Sequence, residues 1–183
     1  MKLDFAPSQA ARWIARAFTC FLLGAALAVI LVGCKAPAPH MRPAMSRGIV
    51  PDPAAATVVF VRPSSMAGAI RPVIATAQGR FLGESEARSV FVAKLPPGDH
   101  LLLSWSEGTP ALRATLAAGR VYFVEVAPKM GAWSARVQLL ALRPRDENWR
   151  ELQEWLRKCD AIEADRARLP ERRAGVFSIL RGI

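Results

Sequence analysis

Few side chains in this 183-residue chain could do chemistry, and their spacing matches no catalytic motif. The two histidines, His40 and His100, are too few for a histidine-rich zinc site, and no His-Glu-x-x-His or Gly-x-Ser-x-Gly motif occurs. Glu84 and Glu86 could act as paired carboxylates, but alternation predicts that both are exposed. His100 follows a Pro-Gly-Asp turn, where a turn hydrogen bond is expected rather than proton transfer. We therefore predict no catalytic residue, no metal site and no cofactor.

Cys34 is the one reactive residue whose surroundings assign it a role. It directly follows residues 17–33, an apolar run of 17 residues without a charge, and three basic residues and one acidic residue precede that run. A basic start, an apolar run and a small residue at its end make up a secretory signal. The run is shorter than the roughly 20 residues of a comfortable transmembrane helix. We therefore expect export, with residues 1–33 as the signal peptide.

The residues Leu31-Val32-Gly33-Cys34 resemble the lipobox of bacterial lipoproteins. Leu31 and Gly33 match that pattern, and Val32 is an accepted variant of it. The resemblance implies that the Cys34 thiol carries a diacylglyceryl group and that a dedicated signal peptidase recognises Leu31, Val32 and Gly33 and cuts before Cys34. The new amino group is then acylated, with a fatty acid such as palmitate. Two or three acyl chains hold a protein durably on a membrane, whereas one holds it only marginally.

Two other interpretations of this start stay open: a cleaved secretory signal without lipid, and an uncleaved single-span anchor. All three place the rest of the chain outside the cytoplasm. Lys35 follows the cysteine, whereas Asp at that position is the best-known inner-membrane retention signal of lipoproteins. The resemblance therefore implies a lipid anchor in the outer membrane of a two-membrane cell, facing the periplasm.

The charge of the chain is basic but dispersed. Removing residues 1–33 from the totals of 25 basic and 15 acidic side chains leaves 25 − 3 = 22 and 15 − 1 = 14, a formal net charge of +8. No dense Lys/Arg cluster occurs, and no aromatic residues alternate with basic ones as in single-strand binders. Nucleic-acid binding is therefore not predicted, and weak attraction to anionic envelope surfaces is expected instead.

The predicted mature chain begins with a tether. Residues 34–56 contain five prolines among alanines and a few polar residues, which is typical of a semi-rigid extended spacer. We expect this spacer, including His40, to be solvated. It would hold the folded part at most a few tens of ångströms from the lipid surface.

Residues 57–142 alternate between short β-like runs and turn residues. Connections too short for crossovers predict antiparallel pairing. The predicted fold class is mainly β, a small antiparallel β-sandwich or open barrel of about seven or eight short strands, followed by a C-terminal amphipathic α-helix. The predicted strands span residues 57–62, 73–78, 80–82, 89–95, 99–106, 112–116, 120–127 and 133–139.

Two segments of this region carry a second resemblance. Leu95-Pro96-Pro97-Gly98-Asp99-His100 and Ala118-Gly119-Arg120-Val121-Tyr122-Phe123 are similar to a family of bacterial envelope domains of unknown function. Those domains show a Pro-Gly-x-His turn followed by a Gly-Lys-x-Tyr-Tyr strand; here Arg120 replaces the Lys and Phe123 the second Tyr. The resemblance covers roughly residues 57–142 and implies a small sandwich similar to surface-protein PEGA modules. It implies no activity.

The period changes to helical in residues 143–170. Asp146 is a predicted N-cap, Glu154 and Lys158 form an i,i+4 pair, and Pro170 ends the helix. The helix is expected to pack on a sheet of its own domain, with docking onto a partner as the alternative, and its Cys159 to be a buried apolar residue. Residues 171–183 form an apolar tail. The apolar stripe consists of Trp149, Leu152, Leu156, Cys159 and Ile162.

The layout of anchor, tether and domain predicts a function without catalysis. We expect a membrane-anchored envelope lipoprotein that acts as a binding or structural module, with an envelope protein or a cell-wall polymer as partner. The alternative is a periplasmic hydrolase whose site is assembled from dispersed residues such as Glu84, Glu86 and His100.

Overall fold

The computed structural model describes residues 38–64, 69–105, 109–130 and 135–169. The predicted signal peptide, Leu31, Val32, Gly33 and Cys34 of the lipobox, and the predicted tail lie outside these residues. Within them the chain is mainly β, with ten strands, a 3-10 turn at Glu147–Trp149 and one α-helix, α1 (Leu152–Lys158). The strands are β1 (Met41–Pro43), β2 (Ala56–Arg62), β3 (Val73–Thr76), β4 (Phe81–Glu84), β5 (Ser89–Leu95), β6 (Gly98–Trp105), β7 (Ala111–Leu116), β8 (Val121–Met130), β9 (Ala135–Leu142) and β10 (Asp160–Ala164).

The strands form two sheets. A six-stranded sheet has the order β1-β10-β5-β2-β8-β9, and a four-stranded sheet has the order β4-β3-β6-β7. All eight predicted strands are present, with ends that differ by up to three residues from the prediction. The mainly β class is therefore confirmed, while the number of strands is larger than predicted.

A shared hydrophobic core lies between the two sheets. The rings of Phe60 and Phe91 stack at its centre, with centroids 4.8 Å apart. Ile74 and Leu102 of the four-stranded sheet belong to the same cluster. Each strand buries alternate side chains here, which is the packing that a period of two requires.

The opposite face of the six-stranded sheet is covered by α1 and the residues before it. Leu152 and Cys159 pack against Val59 and Val61 of β2, and the ring of Trp149 meets Phe123 edge to face at 5.7 Å. All seven residues of β2 are consequently buried. The expectation that the apolar stripe packs on its own domain, with Cys159 as a buried residue, is confirmed.

Two strand pairs correct the prediction of purely antiparallel pairing. The central strand β2 runs parallel to β8, with Thr57 opposite Val121, and β10 runs parallel to β5, with Asp160 opposite Ser89. Parallel neighbours need a long crossover. The second sheet provides it, because β3, β4, β6 and β7 lie between β2 and β8 in the chain. Short connections between consecutive strands therefore did not determine how these distant strands pair.

The single helix predicted over residues 143–170 is also corrected. The α-helix ends at Lys158, Cys159 is already extended (φ −81°, ψ 140°), and Asp160–Ala164 forms β10. Ile162 then packs in the core between the sheets, whereas Ala161 packs on the helix side. The free edge of β5 offers hydrogen bonds to β10 that local spacing does not reveal. The predicted Glu154–Lys158 ion pair is present.

The predicted tether is part of the fold from Ala38 onwards. Met41–Pro43 pairs antiparallel with β10, with Met41 opposite Ala164, and Met41 is buried in the core. Later in the same segment, Asp52 forms an ion pair with Lys94 of β5 at 2.6 Å. The segment is therefore held on the domain at these points, while most of its other residues are exposed. In the described part of the chain, no helix is long and apolar enough to cross a membrane.

Candidate functional site

Two carboxylates lie buried where β4 leaves the four-stranded sheet. Glu84 is the last residue of β4 and is 2% exposed, and Glu86 in the following loop is 8% exposed. The prediction that alternation exposes both residues is wrong. Their side chains turn towards the segment that precedes β1, because that segment supplies hydrogen-bond donors in place of water.

His40 is the main partner of Glu84. The ring Nδ1 lies 2.6 Å from Glu84 Oε1, and the backbone N–H of His40 donates to Glu84 Oε2 at 3.3 Å. Because a carboxylate only accepts, Nδ1–H is the donor of the short bond. The ring also meets Phe81 edge to face, with centroids 6.2 Å apart. The expectation of a solvated His40 is wrong, since its side chain is 21% exposed and fixed on two sides.

Three further hydrogen bonds fix the residues around His40. The Ala38 N–H donates to Glu86 Oε1 at 2.8 Å, and the Glu84 N–H donates to Met41 Sδ at 3.3 Å. The Asp165 N–H, just after β10, donates to the His40 carbonyl at 2.9 Å. We call residues 38–41, together with Glu84, Glu86 and Asp165, the clasp.

The loop that carries the acidic residues of the clasp is itself braced. The hydroxyl of Ser89 donates to the Glu86 carbonyl at 2.8 Å and accepts from the Glu86 N–H at 3.1 Å. The fully buried Arg62 donates to the carbonyls of Ile70 at 2.7 Å and Ser85 at 3.4 Å. Burial lowers the pKa of Arg62 from its usual value. The loop is therefore also held by contacts that do not involve the N-terminal segment.

The hydrogen bonds of the clasp offset the cost of burying its carboxylates. A buried carboxylate without partners is strongly unfavourable, whereas a hydrogen bond to a charged group contributes about 1.5–3 kcal/mol. Glu84 receives two such bonds from His40, one at each oxygen. The clasp therefore fastens residues 38–41, which follow the predicted anchor residue Cys34, to the β-domain.

His100 lies apart from these carboxylates. Its Nε2 is 2.8 Å from the Pro96 carbonyl, which confirms the predicted turn hydrogen bond. Val73 of β3 is opposite Glu84 on one side and opposite Trp105 of β6 on the other. Trp105 and His100 are five residues apart along β6, which is about 17 Å at 3.3–3.4 Å per residue. A site made of Glu84, Glu86 and His100 is therefore not assembled, and the histidine beside the carboxylates is His40.

The pairing of His40 with Glu84 resembles the way a carboxylate orients a catalytic imidazole through Nδ1. In the described residues, however, no serine, threonine or cysteine side chain forms a hydrogen bond with the His40 ring, and no three His, Cys, Asp or Glu side chains cluster to hold a metal. The structure thus brings His40 and Glu84 together without a described nucleophile. Cys34, Leu31, Val32 and Gly33 lie outside the described residues.

Sequence reasoning missed the clasp for a physical reason. His40 and Glu84 are 44 residues apart, and His40 stands in a segment without any hydrophobic period. The one local signal is the pair Glu84 and Glu86 at the end of a strand. Compared with family models, with curated proteins and with solved structures, the chain matches none of them.

Proposed function

We propose that this protein is an exported lipoprotein, anchored by acylated Cys34 in the outer membrane and facing the periplasm. The observation that carries the proposal is the lipobox-like Leu31-Val32-Gly33-Cys34 at the end of an uncharged run of 17 residues. The β-domain is then a small β-sandwich similar to PEGA modules. The two sheets that share one core are compatible with that architecture.

We infer a binding or structural role for the β-domain, without catalysis. Support comes from the clasp, in which both oxygens of Glu84 accept hydrogen bonds from His40 and one oxygen of Glu86 accepts from Ala38. The only carboxylate–imidazole pair among the described residues is thus engaged in holding the chain. A partner in the envelope, either a protein or an anionic cell-wall polymer, suits the formal charge of +8 on residues 34–183.

The anchor is tested by mass spectrometry of the mature N-terminus and by Cys34→Ala. We expect the mature protein to begin at Cys34 with the mass of a diacylglyceryl group and an added acyl chain. Cys34→Ala should leave an unprocessed precursor or release the protein from the membrane fraction, whereas the matched Cys159→Ala control should be processed normally. An intact Met1 or an unmodified N-terminal residue would contradict the proposal.

The binding role is tested with a soluble fragment of residues 35–183, which keeps β1 and the clasp. It is sedimented with purified cell-wall polymer and, separately, crosslinked in isolated envelopes. Retention on the polymer, or one reproducible crosslinked protein, is the expected result. The binding role would be contradicted if the fragment is folded, as measured by circular dichroism, and is neither retained on the polymer nor crosslinked to a protein.

The 2.6 Å contact between His40 Nδ1 and Glu84 keeps one alternative open, a periplasmic hydrolase that uses this pair. Esterase, glycosidase and peptidase substrates distinguish the two functions. Turnover that is lost in His40→Gln and retained in His100→Gln would replace our proposal by this alternative. Absence of turnover with all three classes is the result that we expect.

A further inference from the structure

The clasp fixes how far the β-domain can move from residue 34. Ala38 is held by Glu86, and four peptide units separate it from Cys34. At no more than about 3.6 Å per residue, those units span about 14 Å. A spacer that stayed free as far as residue 56 would span up to about 79 Å when fully extended, by the same measure. The clasp therefore shortens the reach of the chain about fivefold.

We propose that the clasp holds the β-domain flush against the membrane, so that the edge formed by β1, the end of β10 and residues 165–168 faces the lipid headgroups. This proposal rests on the lipidation of Cys34 proposed above. The partner surface is a phospholipid bilayer, because the acyl chains on Cys34 insert into one. The clasp leaves only residues 35–37 between Cys34 and the first held residue, Ala38. The Asp165 N–H bond to the His40 carbonyl places residues 165–168 beside the clasp.

The edge is chemically suited to lipid phosphates. Arg42 is paired with Glu163 at 2.7 Å and is 60% exposed, and Arg168 is paired with Asp165 at 3.2 Å. Arg166 is exposed and forms no ion pair among the described residues. Arg42 and Arg166 line an open groove of about 560 Å³. Exposed arginines are attracted to the phosphates of an anionic leaflet, so this edge favours the orientation that the clasp imposes.

Arg136 on β9 lies at the opposite side of the six-stranded sheet from this edge. The strand register places Ala164 of β10 level with Ala93 of β5, Val58 of β2 and Tyr122 of β8. Counted from Ala164, Arg136 lies four strands across the sheet and about seven residues along the strand direction. These offsets amount to about 19 Å and 23 Å, a separation of roughly 30 Å. Arg136 is exposed and is therefore a suitable reference position.

The test uses the full mature lipoprotein in vesicles of phosphatidylethanolamine with a minority of phosphatidylglycerol. Spin labels are attached at Arg166→Cys or Arg136→Cys in a Cys159→Ala background, and a nickel-chelating lipid supplies a relaxation agent at headgroup level. We expect relaxation enhancement at residue 166 to be several-fold larger than at residue 136. Equal enhancement at both positions in vesicle-bound protein would overturn the inference.

A clasp variant links the orientation to the hydrogen bonds. Glu84→Ala with Glu86→Ala removes every hydrogen bond that these two carboxylates accept from residues 38–40. It should lower the enhancement at residue 166 towards the value at residue 136, because the first held residue then becomes His40, through its bond from Asp165, and the reach rises to about 22 Å. Glu147→Ala with Glu154→Ala removes two exposed carboxylates that lie outside both the clasp and this edge. This double variant is the matched control and should leave the enhancement unchanged. Unchanged enhancement in the folded clasp variant would overturn the role of the clasp. Failure of the protein to sediment with vesicles at all would instead contradict the lipid anchor.

Discussion

The ring of Phe91 occupies the space in which any residue other than glycine at position 83 would place its Cβ. A Cβ built on Gly83 would lie 2.5 Å from Phe91 Cε2 and 2.8 Å from Cδ2, both closer than carbon atoms approach each other. Phe91 cannot simply turn away, because it stacks on Phe60 in the core. This contact joins β4 to β5 directly before the chain enters the loop that carries Glu86, so it also positions the acidic half of the clasp.

Gly83→Ala should therefore lower the free energy of unfolding by about 1–3 kcal/mol, the usual cost of overpacking a core. Urea denaturation of the soluble domain measures it. Phe91→Leu removes the clashing ring atoms, so the double variant Gly83→Ala/Phe91→Leu should be more stable than the sum of the two single changes predicts. Strict additivity would show that the close contact is not the cause of the loss.

A second prediction is that Glu84→Gln weakens the hydrogen bonds of the clasp, which amide hydrogen exchange in residues 38–40 measures. Glu84→Gln keeps the size of the side chain but replaces one accepting oxygen by an NH₂ group, so one of the two bonds from His40 is lost. Loss of about 1.4 kcal/mol of local stability corresponds to tenfold faster amide hydrogen exchange. The exchange of the His40 amide should rise by that order, while the amide of Val59 in β2 should be unaffected. An unchanged His40 amide would show that Glu84 does not hold the segment.

The strands that could be predicted are those whose own residues carry the signal. In β9, Val137 and Leu139 are buried while Arg136 is exposed, as a period of two requires. A three-residue strand that contains Pro43 has no period to detect, and Asp160–Ala164 continues an apolar spacing that is typical of a helix. Both strands exist because they pair with each other and with the edge of β5, and such partners are not visible locally.

The clasp escaped prediction for a related reason. A carboxylate two residues from another at a strand end is usually solvated, and a histidine in a proline-rich segment is usually free. Burial of Glu84 is favourable only because His40 brings a ring N–H and a backbone N–H to the same carboxylate. Residue types alone therefore singled out the two carboxylates and His40 separately but did not predict the contact between them.

The ion pair between Asp52 and Lys94 gives a prediction about pH. The hydrogen bond from Lys94 and the backbone N–H of Ala54 lower the pKa of Asp52 below its usual 3.8. A carboxylate with a lowered folded pKa stabilises the fold above its unfolded pKa, and this contribution is lost as the pH falls through the folded pKa. The relevant window is therefore below about pH 4.

NMR titration of the Asp52 carboxyl carbon measures this directly. We expect a midpoint below 3.8 in the wild type and a rise towards 3.8 in Lys94→Met. Lys129→Met is the control, because Lys129 lies opposite Arg136 in the register of β8 and β9 and not beside Asp52. A midpoint that does not respond to Lys94→Met would mean that the N-terminal segment is not fixed to β5 at this point.

Packing of α1 on the six-stranded sheet gives the last prediction. Leu152 is buried against β2, whereas Leu156 is half-buried at the rim of the same cluster. Leu152→Ala should lower the free energy of unfolding by about 2–4 kcal/mol, because it removes buried methyl groups and leaves a cavity above Val59 and Val61. Leu156→Ala should cost clearly less. Equal and small effects of both changes in urea denaturation would mean that the helix does not rest on its own sheet and that its apolar stripe is available to a partner.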